Sequence, residues 1–330
     1  MKILIISGFL GAGKTTFIKE LIKRTEQRFV VLENEYGNTN VDQQMIKSED
    51  QADVWDLTEG CICCTKSADL NASVMTIEST LEPEYLIVEP SGVGALSNVI
   101  RNLQKIEYER ITLLRPVTIV DADHFAHDCE EFADIYQDQI RTAGTVMISK
   151  PETPDTALYA QVEAKVHEMN PEAYVLPCHY TKMDQEWWDS LLTTSYSGES
   201  IKQVEDSSID LETYTVYNCR MVSPVALLWL LERVIRGYFG QIIRAKGILP
   251  AGKEWVRFDV VNGKVAITGF DESTENAKAE CVWIGRAIDR LALRDYLWDP
   301  DSPLAKRRAR MKQVKAKKKQ QSTPPEENPS

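Results

Sequence analysis

The run Gly8-Phe9-Leu10-Gly11-Ala12-Gly13-Lys14-Thr15 constrains this chain more than any other segment. It fits the pattern Gly-x-x-x-x-Gly-Lys-Ser/Thr in full. An apolar run, Ile3 to Ile6, precedes it, and behind it Phe17, Ile18, Leu21 and Ile22 make one helical stripe. Strand, glycine-rich turn and helix in that order build a cradle for phosphate. The glycines let backbone N–H groups turn inward, and the helix start adds partial positive charge. Lys14 reaches the β and γ phosphates, and the Thr15 hydroxyl ligates Mg²⁺. A glycine-rich turn without a ligand is the alternative, and it leaves the match of both flanks to coincidence. The loop implies a nucleoside triphosphate with Mg²⁺ and its hydrolysis.

From Lys2 to about Leu192, short β-branched runs alternate with longer amphipathic stretches, as a parallel sheet with crossover helices requires. Expected strands are Lys2 to Ser7, Phe29 to Glu33, Tyr85 to Val88, Val117 to Val120, Thr145 to Ile148 and Ala173 to Leu176, with a first helix over Thr15 to Arg28. The pattern predicts an α/β fold: a doubly wound, mostly parallel P-loop domain over residues 1–195. Residues 196–208 are polar, carry no period and read as a linker.

A smaller α+β domain is expected over 209–300. It begins with a strand near Thr213 to Met221 and a helix capped by Ser223 with Pro224 in its first position. Trp255 to Val261 and Lys264 to Gly269 flank Asn262-Gly263, a two-residue hairpin signal. A last strand, Cys281 to Gly285, leads into a helix ending near Trp298. Residues 301–330 read as a basic, disordered, solubilising tail.

Charge and cysteine usage narrow the function classes. Residues 305–330 hold nine Lys/Arg against two Glu, while the whole chain has a net charge of −12, so the body is acidic. An acidic body repels phosphate backbones, which argues against nucleic acid as the main partner and suits cation handling. No stretch approaches the ~20 apolar residues of a membrane helix, and no secretory signal is present, so the seven cysteines are expected reduced and the compartment cytoplasmic.

Three of those cysteines fall together, Cys61-Ile62-Cys63-Cys64, behind Gly60. In an extended segment Cys61 and Cys63 point to one side and can share an ion, whereas Cys64 needs a turn to join them. Thiolates select Zn²⁺, Cu⁺ and other soft metals over Mg²⁺. Buried reduced cysteines or a redox pair are the alternatives. The cluster lies between two acidic segments that would serve as nucleotide switches. One runs from Glu33-Asn34-Glu35-Tyr36-Gly37 to Asp42. The other is Glu89-Pro90-Ser91-Gly92, where Glu89 ends an apolar strand and offers a carboxylate to Mg²⁺ or its water, and the Gly92 amide can sense a γ-phosphate. For each carboxylate a solvated loop charge is the competing reading.

Together these motifs resemble the CobW-type GTPase family, related to the urease and hydrogenase nickel-insertion GTPases. The resemblance rests on Gly8 to Thr16, Glu33 to Gly37 with Asp42, Gly60 to Cys64, Glu89 to Gly92, Val120-Asp121-Ala122, Asn170-Pro171 with Ala173, and Lys246-Gly247-Ile248. It implies a GTP-dependent metallochaperone or metallocentre-assembly factor that carries one transition metal ion, Zn²⁺ or Co²⁺, to a client protein or corrinoid pathway. The C-terminal domain would recognise the client, and a nucleotide- or metal-dependent homodimer is compatible with it. Carried over residue by residue, Cys61, Cys63 and Cys64 would be metal ligands, with Glu33 and His124 as positions where some members add one. A lone His after a strand is otherwise a structural residue. Gly8, Gly11, Ala12, Gly13, Lys14, Thr15, Thr16 and Gly92 would hold the phosphates. Thr15, Asp42 and Glu89 would hold Mg²⁺, and Lys14, Glu35, Asp42 and Glu89 would serve hydrolysis.

Two departures stand out. The family's guanine motif, Asn-Lys-x-Asp, is represented by Ser149-Lys150-Pro151-Glu152. Glu152 keeps a carboxylate for the adjacent N1–H and N2–H donors of guanine, but Ser149 loses the Asn amide, so a weakened guanine preference is expected. The chain also lacks a His-rich loop; its only histidines are His124, His127, His167 and His179. That disfavours zinc storage and leaves delivery of a single ion. The competing function is a regulatory switch GTPase with structural cysteines and no cargo. A P-loop kinase of small molecules would need an arginine-rich lid, which the sequence lacks.

Overall fold

Ile3, Leu4, Ile5 and Ile6 are all exposed by 1% or less, so the short apolar run at the start of the chain is a strand covered on both faces. The computed structural model describes residues 1–33, 52–56, 67–149, 156–176, 178–198, 211–261, 263–269 and 279–297, with the backbone alone for 52–56, 67–69 and 156. The chain divides into two compact units, Met1–Leu211 and Glu212–Ser330.

In the first unit the strands are β1 (Lys2–Gly8), β2 (Phe29–Glu33), β3 (Ala52–Asp56), β4 (Tyr85–Glu89), β5 (Thr112–Leu113), β6 (Val117–Asp121), β7 (Thr145–Ser149) and β8 (Tyr174–Val175). They lie side by side in the order β3-β2-β4-β1-β6-β7-β8, with β5 also on β1. Every pairing is parallel. The helices are α1 (Lys14–Thr25), α2 (Ser67–Leu81), α3 (Leu96–Gln104), α4 (Phe125–Glu131), α5 (Ala133–Thr142), α6 (Thr156–Met169) and α7 (Gln185–Ser190).

Alternation along each strand divides the core in two. Leu4, Ile6, Val31, Ile87 and Ile119 pack with Phe17, Ile18, Leu21 and Trp188 on one face. Ile3, Ile5, Val30, Leu32, Leu86 and Val88 pack with Val74, Ile77, Val99 and Ile100 on the other. The Phe17 ring stacks on the fully buried Trp188 at 5.6 Å, which ties α1 to α7. The doubly wound α/β fold expected from the sequence is present. Two details differ. α1 stops at Thr25 rather than Arg28, because Glu26 takes a left-handed conformation with φ 51°. β3 was not anticipated, since Ala-Asp-Val-Trp-Asp mixes acidic and apolar residues.

The second unit contains β9 (Glu212–Tyr217), α8 (Pro224–Ile235), β10 (Gln241–Ala251), β11 (Glu254–Val261), β12 (Lys264–Gly269), β13 (Glu280–Arg286) and α9 (Arg290–Leu297). Its sheet is antiparallel in the order β12-β11-β10-β13-β9. Leu227, Leu230, Leu231 and Val234 of α8 join Phe258, Val260 and Trp283 in one core. The Ser223 hydroxyl accepts from Ala226 N at 3.2 Å with Pro224 next in line, so α8 starts as the sequence predicts. β9 ends at Tyr217 because Asn218 turns left-handed, φ 54°. Val261 pairs with Lys264 and Gly263 has φ 76°, as a two-residue hairpin requires; Asn262 lies outside the described residues.

β10, the longest strand of this unit, escaped the sequence reading because Gly247 and Pro250 interrupt its pattern. Gly247 is there for space: a Cβ on it would stand 2.4 Å from Phe258 Cε1 and 2.6 Å from Cys281 Sγ. Cys281 and Cys219 are both buried free thiols with their sulfurs 3.3 Å apart. Burial, and then the neighbouring Cys219, push the Cys281 thiol well above its ordinary pKa. Among the described residues no helix is long and apolar enough to cross a membrane. Gly247→Ala is expected to destabilise the second unit by about 1–3 kcal/mol through overpacking. Urea unfolding of the full chain checks this, and an unchanged midpoint would contradict it.

Candidate functional site

At the carboxyl end of β1 the main chain turns through left-handed glycines: Gly8 has φ 143°, Gly11 φ 74° and Gly13 φ 101°. The Ala12 N–H donates to Phe9 O at 3.2 Å, and Phe17 N to Gly13 O at 3.0 Å opens α1. The N–H groups of a helix's first turn have no carbonyl one turn back, so this end of α1 is an anion-facing surface. Lys14 is buried, and its ammonium donates to Gly8 O at 3.0 Å and Phe9 O at 3.3 Å, which holds the charge over the loop. The Phe9 ring stacks on Phe132 at 4.7 Å and meets Tyr136 edge-on at 5.8 Å, anchoring the loop to the α4–α5 junction.

Thr15 is half-buried, Thr16 is exposed, and the Thr15 hydroxyl lies 3.4 Å from the Glu89 carboxylate. Both are hard oxygen donors. Their separation suits Mg²⁺, whose ligands stand about 2.0–2.1 Å from the ion, so the residues present fit that cation. Glu89 follows directly on the buried part of β4 and pairs in register with Glu33 of β2, which in turn pairs with Asp56 of β3. Three acidic residues thus stand at one register position across adjacent strands, each about 4.8 Å from the next. Glu33 is buried.

Beyond Glu89, the segment Pro90-Ser91-Gly92-Val93-Gly94 is buried. A Cβ on Gly92 would stand 2.8 Å from Leu10 N, so only glycine permits this approach to the loop. Two residues that the sequence reading passed over grip the segment and the helix after it. The Gln139 amide of α5 donates to Gly92 O at 3.1 Å and Gly94 O at 3.0 Å. Asp138 accepts from Ser97 N at 3.1 Å, in the first turn of α3. Burial holds the Asp138 carboxyl above its ordinary pKa, against the lowering effect of its bonds to Ser97. A signal was available: Gln139 sits three and four residues after the buried Tyr136 and Ile135, so a polar side chain occupies the apolar stripe.

Ser149, the last residue of β7, is buried at 3% exposure. Its hydroxyl lies 2.6 Å from Ala12 O and 3.2 Å from Val120 O. One hydroxyl proton serves one strong bond, and the shorter contact ties β7 to the phosphate loop. His124, at the start of α4, has Nδ1 3.1 Å from Asp121 Oδ2, which ties the start of that helix to the end of β6. Asn170 donates to Ile140 O at 2.9 Å and Ala143 O at 2.9 Å, bracing the turn between α5 and β7. Glu35, Asp42, Cys61, Cys63, Cys64, Lys150 and Glu152 lie outside the described residues. Among the described residues no three His, Cys, Asp or Glu side chains gather into a group that would hold a metal.

With this geometry in view, the model of the CobW/HypB/UreG nucleotide-binding domain matches residues 2–177. The chain belongs to this family. The cobalamin synthesis protein CobW C-terminal domain matches residues 211–299. Among curated relatives in the family, the zinc chaperone CobW of Sinorhizobium sp is 30% identical over 185 residues, 46% of this chain and 51% of the relative. The zinc chaperone YjiA of Escherichia coli K12 is 28% identical over 172 residues, 50% of this chain and 52% of its own. Zinc-regulated GTPase metalloprotein activator 1 of Schizosaccharomyces pombe is 23% identical over 233 residues, 66% of this chain and 56% of its own. The chain spans about half the length of the curated relatives it matches. Of solved structures, Zn(II)-bound YjiA GTPase from E. coli is 17% identical, covers 90% of this chain and 97% of its own, and gives a TM-score of 0.42.

Ser149→Ala leaves the Ala12 carbonyl without its hydroxyl donor and is expected to cost about 1–3 kcal/mol in unfolding of the first unit. It is further expected to leave the ratio of GTP to ATP affinity unchanged. A changed ratio would make Ser149 a reader of the base.

Proposed function

We propose that this chain is a GTP-hydrolysing metallochaperone that carries one zinc ion. The observation that carries the nucleotide half is the Thr15 hydroxyl facing the Glu89 carboxylate at 3.4 Å, beside a loop of left-handed glycines under Lys14. In this reading the N–H groups of residues 11–16 and the Lys14 ammonium hold the phosphates. Thr15 and Glu89, with Asp42, hold Mg²⁺, which supplies charge neutralisation at the β and γ oxygens. Gly92 presents its N–H to the terminal phosphate, and Glu35 and Asp42 belong to the other switch. Glu152 accepts from guanine, while Ser149 braces the loop.

The metal half rests on Cys61-Ile62-Cys63-Cys64 and on the names of the three relatives above, each called a zinc chaperone or a zinc-regulated activator. Cys61 follows Asp56, the end of β3, by five residues. Zinc is here a cargo. The nucleotide governs its affinity because the cysteines lie in sequence between the two switches. The second unit recognises the client, and the acidic body favours approach of a cation.

Chelator-competition titration of Zn²⁺ under reducing conditions, with Mg²⁺ and either GDP or a non-hydrolysable GTP analogue, tests the whole reading. One-to-one binding that tightens about tenfold in the triphosphate state, about 1.4 kcal/mol of coupling, is expected. Equal or absent binding in both states leaves a switch GTPase without cargo. Cys63→Ser is expected to abolish tight metal binding and spare nucleotide binding, and Lys14→Ala to do the reverse. Equal affinities for ATP and GTP would remove the guanine assignment.

A further inference from the structure

Gln139 is 1% exposed and sits in the middle of a packed face, where an apolar residue of its size would fill the same volume. Both of its amide hydrogens are used, on Gly92 O and Gly94 O. Two carbonyl acceptors fix which end of the amide is the nitrogen. The other end, Oε1, has no hydrogen-bond partner among the described residues. A buried amide with one end unsatisfied is costly to keep, and what the chain gains for it is two donors aimed at one short segment.

That segment has few other means of holding its shape. Gly94 N donates back to Ser91 O at 2.8 Å, and Val93 N lies 3.4 Å from Ser91 Oγ, so residues 91–94 close into a turn. The Gly92 Cα lies against Leu10 of the phosphate loop on one side, and Gln139 holds the carbonyls from the other. The plane that carries the Gly92 N–H also carries Ser91 O, held by Gly94 N, and the plane after Gly92 is held by Gln139, so the backbone on either side of Gly92 cannot rotate without breaking a hydrogen bond. The main chain at Gln139 is tied to the sheet, because Thr118 Oγ1 of β6 donates to its backbone carbonyl at 3.0 Å.

We propose that Gln139 is a positioning residue that presets the Gly92 peptide for the terminal phosphate and so sets the preference for triphosphate over diphosphate. This rests on the nucleotide reading above and goes beyond it by naming what holds the switch. Gln139 touches no substrate; it acts through Gly92. A donor pair arranged beforehand means that the cost of ordering the segment is met in folding rather than on binding.

The test compares Gln139→Met, which keeps the volume and loses both donors, and Gln139→Glu, which keeps the shape and leaves at most the one donor of a protonated carboxyl, with the wild-type chain. Affinities for GDP and for a non-hydrolysable GTP analogue are measured with Mg²⁺. Both variants are expected to bind GDP within about twofold of wild type and to lose about tenfold or more in affinity for the analogue. An equal fall in both affinities, or no fall, overturns the proposal by making Gln139 a packing residue. In the wild-type chain, amide hydrogen exchange at Gly94 and over residues 95–97 is expected to be about as slow without nucleotide as with the analogue, because the segment is ordered beforehand. Protection that appears only when the analogue binds overturns the proposal even where a variant does not fold. Failure of the wild type to bind either nucleotide would instead overturn the nucleotide reading.

Discussion

The candidate site depends on two places where main chain touches main chain. A Cβ on Gly8 would stand 2.4 Å from Ile119 O, and a Cβ on Gly92 would stand 2.8 Å from Leu10 N. At the first, the loop leaves β1 pressed against β6; at the second, the segment after β4 is pressed against the loop. No side chain fits in either gap, so the loop's position is set by strands on both sides of it rather than by its own residues. Lys14, folded over Gly8 and Phe9, and Thr15, facing Glu89, take their places because that frame is rigid.

Around this frame the buried polar groups form one connected system. α5 supplies most of it: Asp138 holds the first turn of α3, Gln139 holds Gly92 and Gly94, and the carbonyls at the end of α5 receive Asn170. The same helix leads into β7, whose terminal Ser149 reaches the loop at Ala12. A shift at Ala12 therefore meets resistance through β7, and a shift at Gly92 through α5, although the two are far apart in sequence. Buried networks of this kind are costly when half broken, which favours discrete over graded rearrangement.

Much of this was legible in advance, for physical reasons that differ from element to element. Unbroken apolar runs such as Phe29–Glu33 and Tyr85–Glu89 announce strands covered on both sides. The start of α8 was readable because Ser223 and Pro224 act locally. β3 and β10 were not, because mixed polarity in one and Gly247 and Pro250 in the other hide pairing that only the neighbouring strands enforce. At the site, the loop residues follow from a local pattern. Gln139 and Ser149 as braces do not, because their partners lie 45 to 47 and 137 residues away. A polar residue inside an apolar stripe marks such a brace without saying what it holds.

The buried thiol pair of the second unit divides the chain's cysteines into kinetic classes. Cys219 and Cys281 are exposed by 1% and 0%, and burial keeps the Cys281 thiol protonated at neutral pH. Only the thiolate attacks an alkylating reagent. Because both sulfurs are buried away from solvent, this pair is silent to such reagents in the native protein, and it becomes visible when the second unit opens. A thiol count on the folded chain omits these two. The slow appearance of two further thiols is a clock for the opening of the C-terminal sheet, and it needs no introduced label.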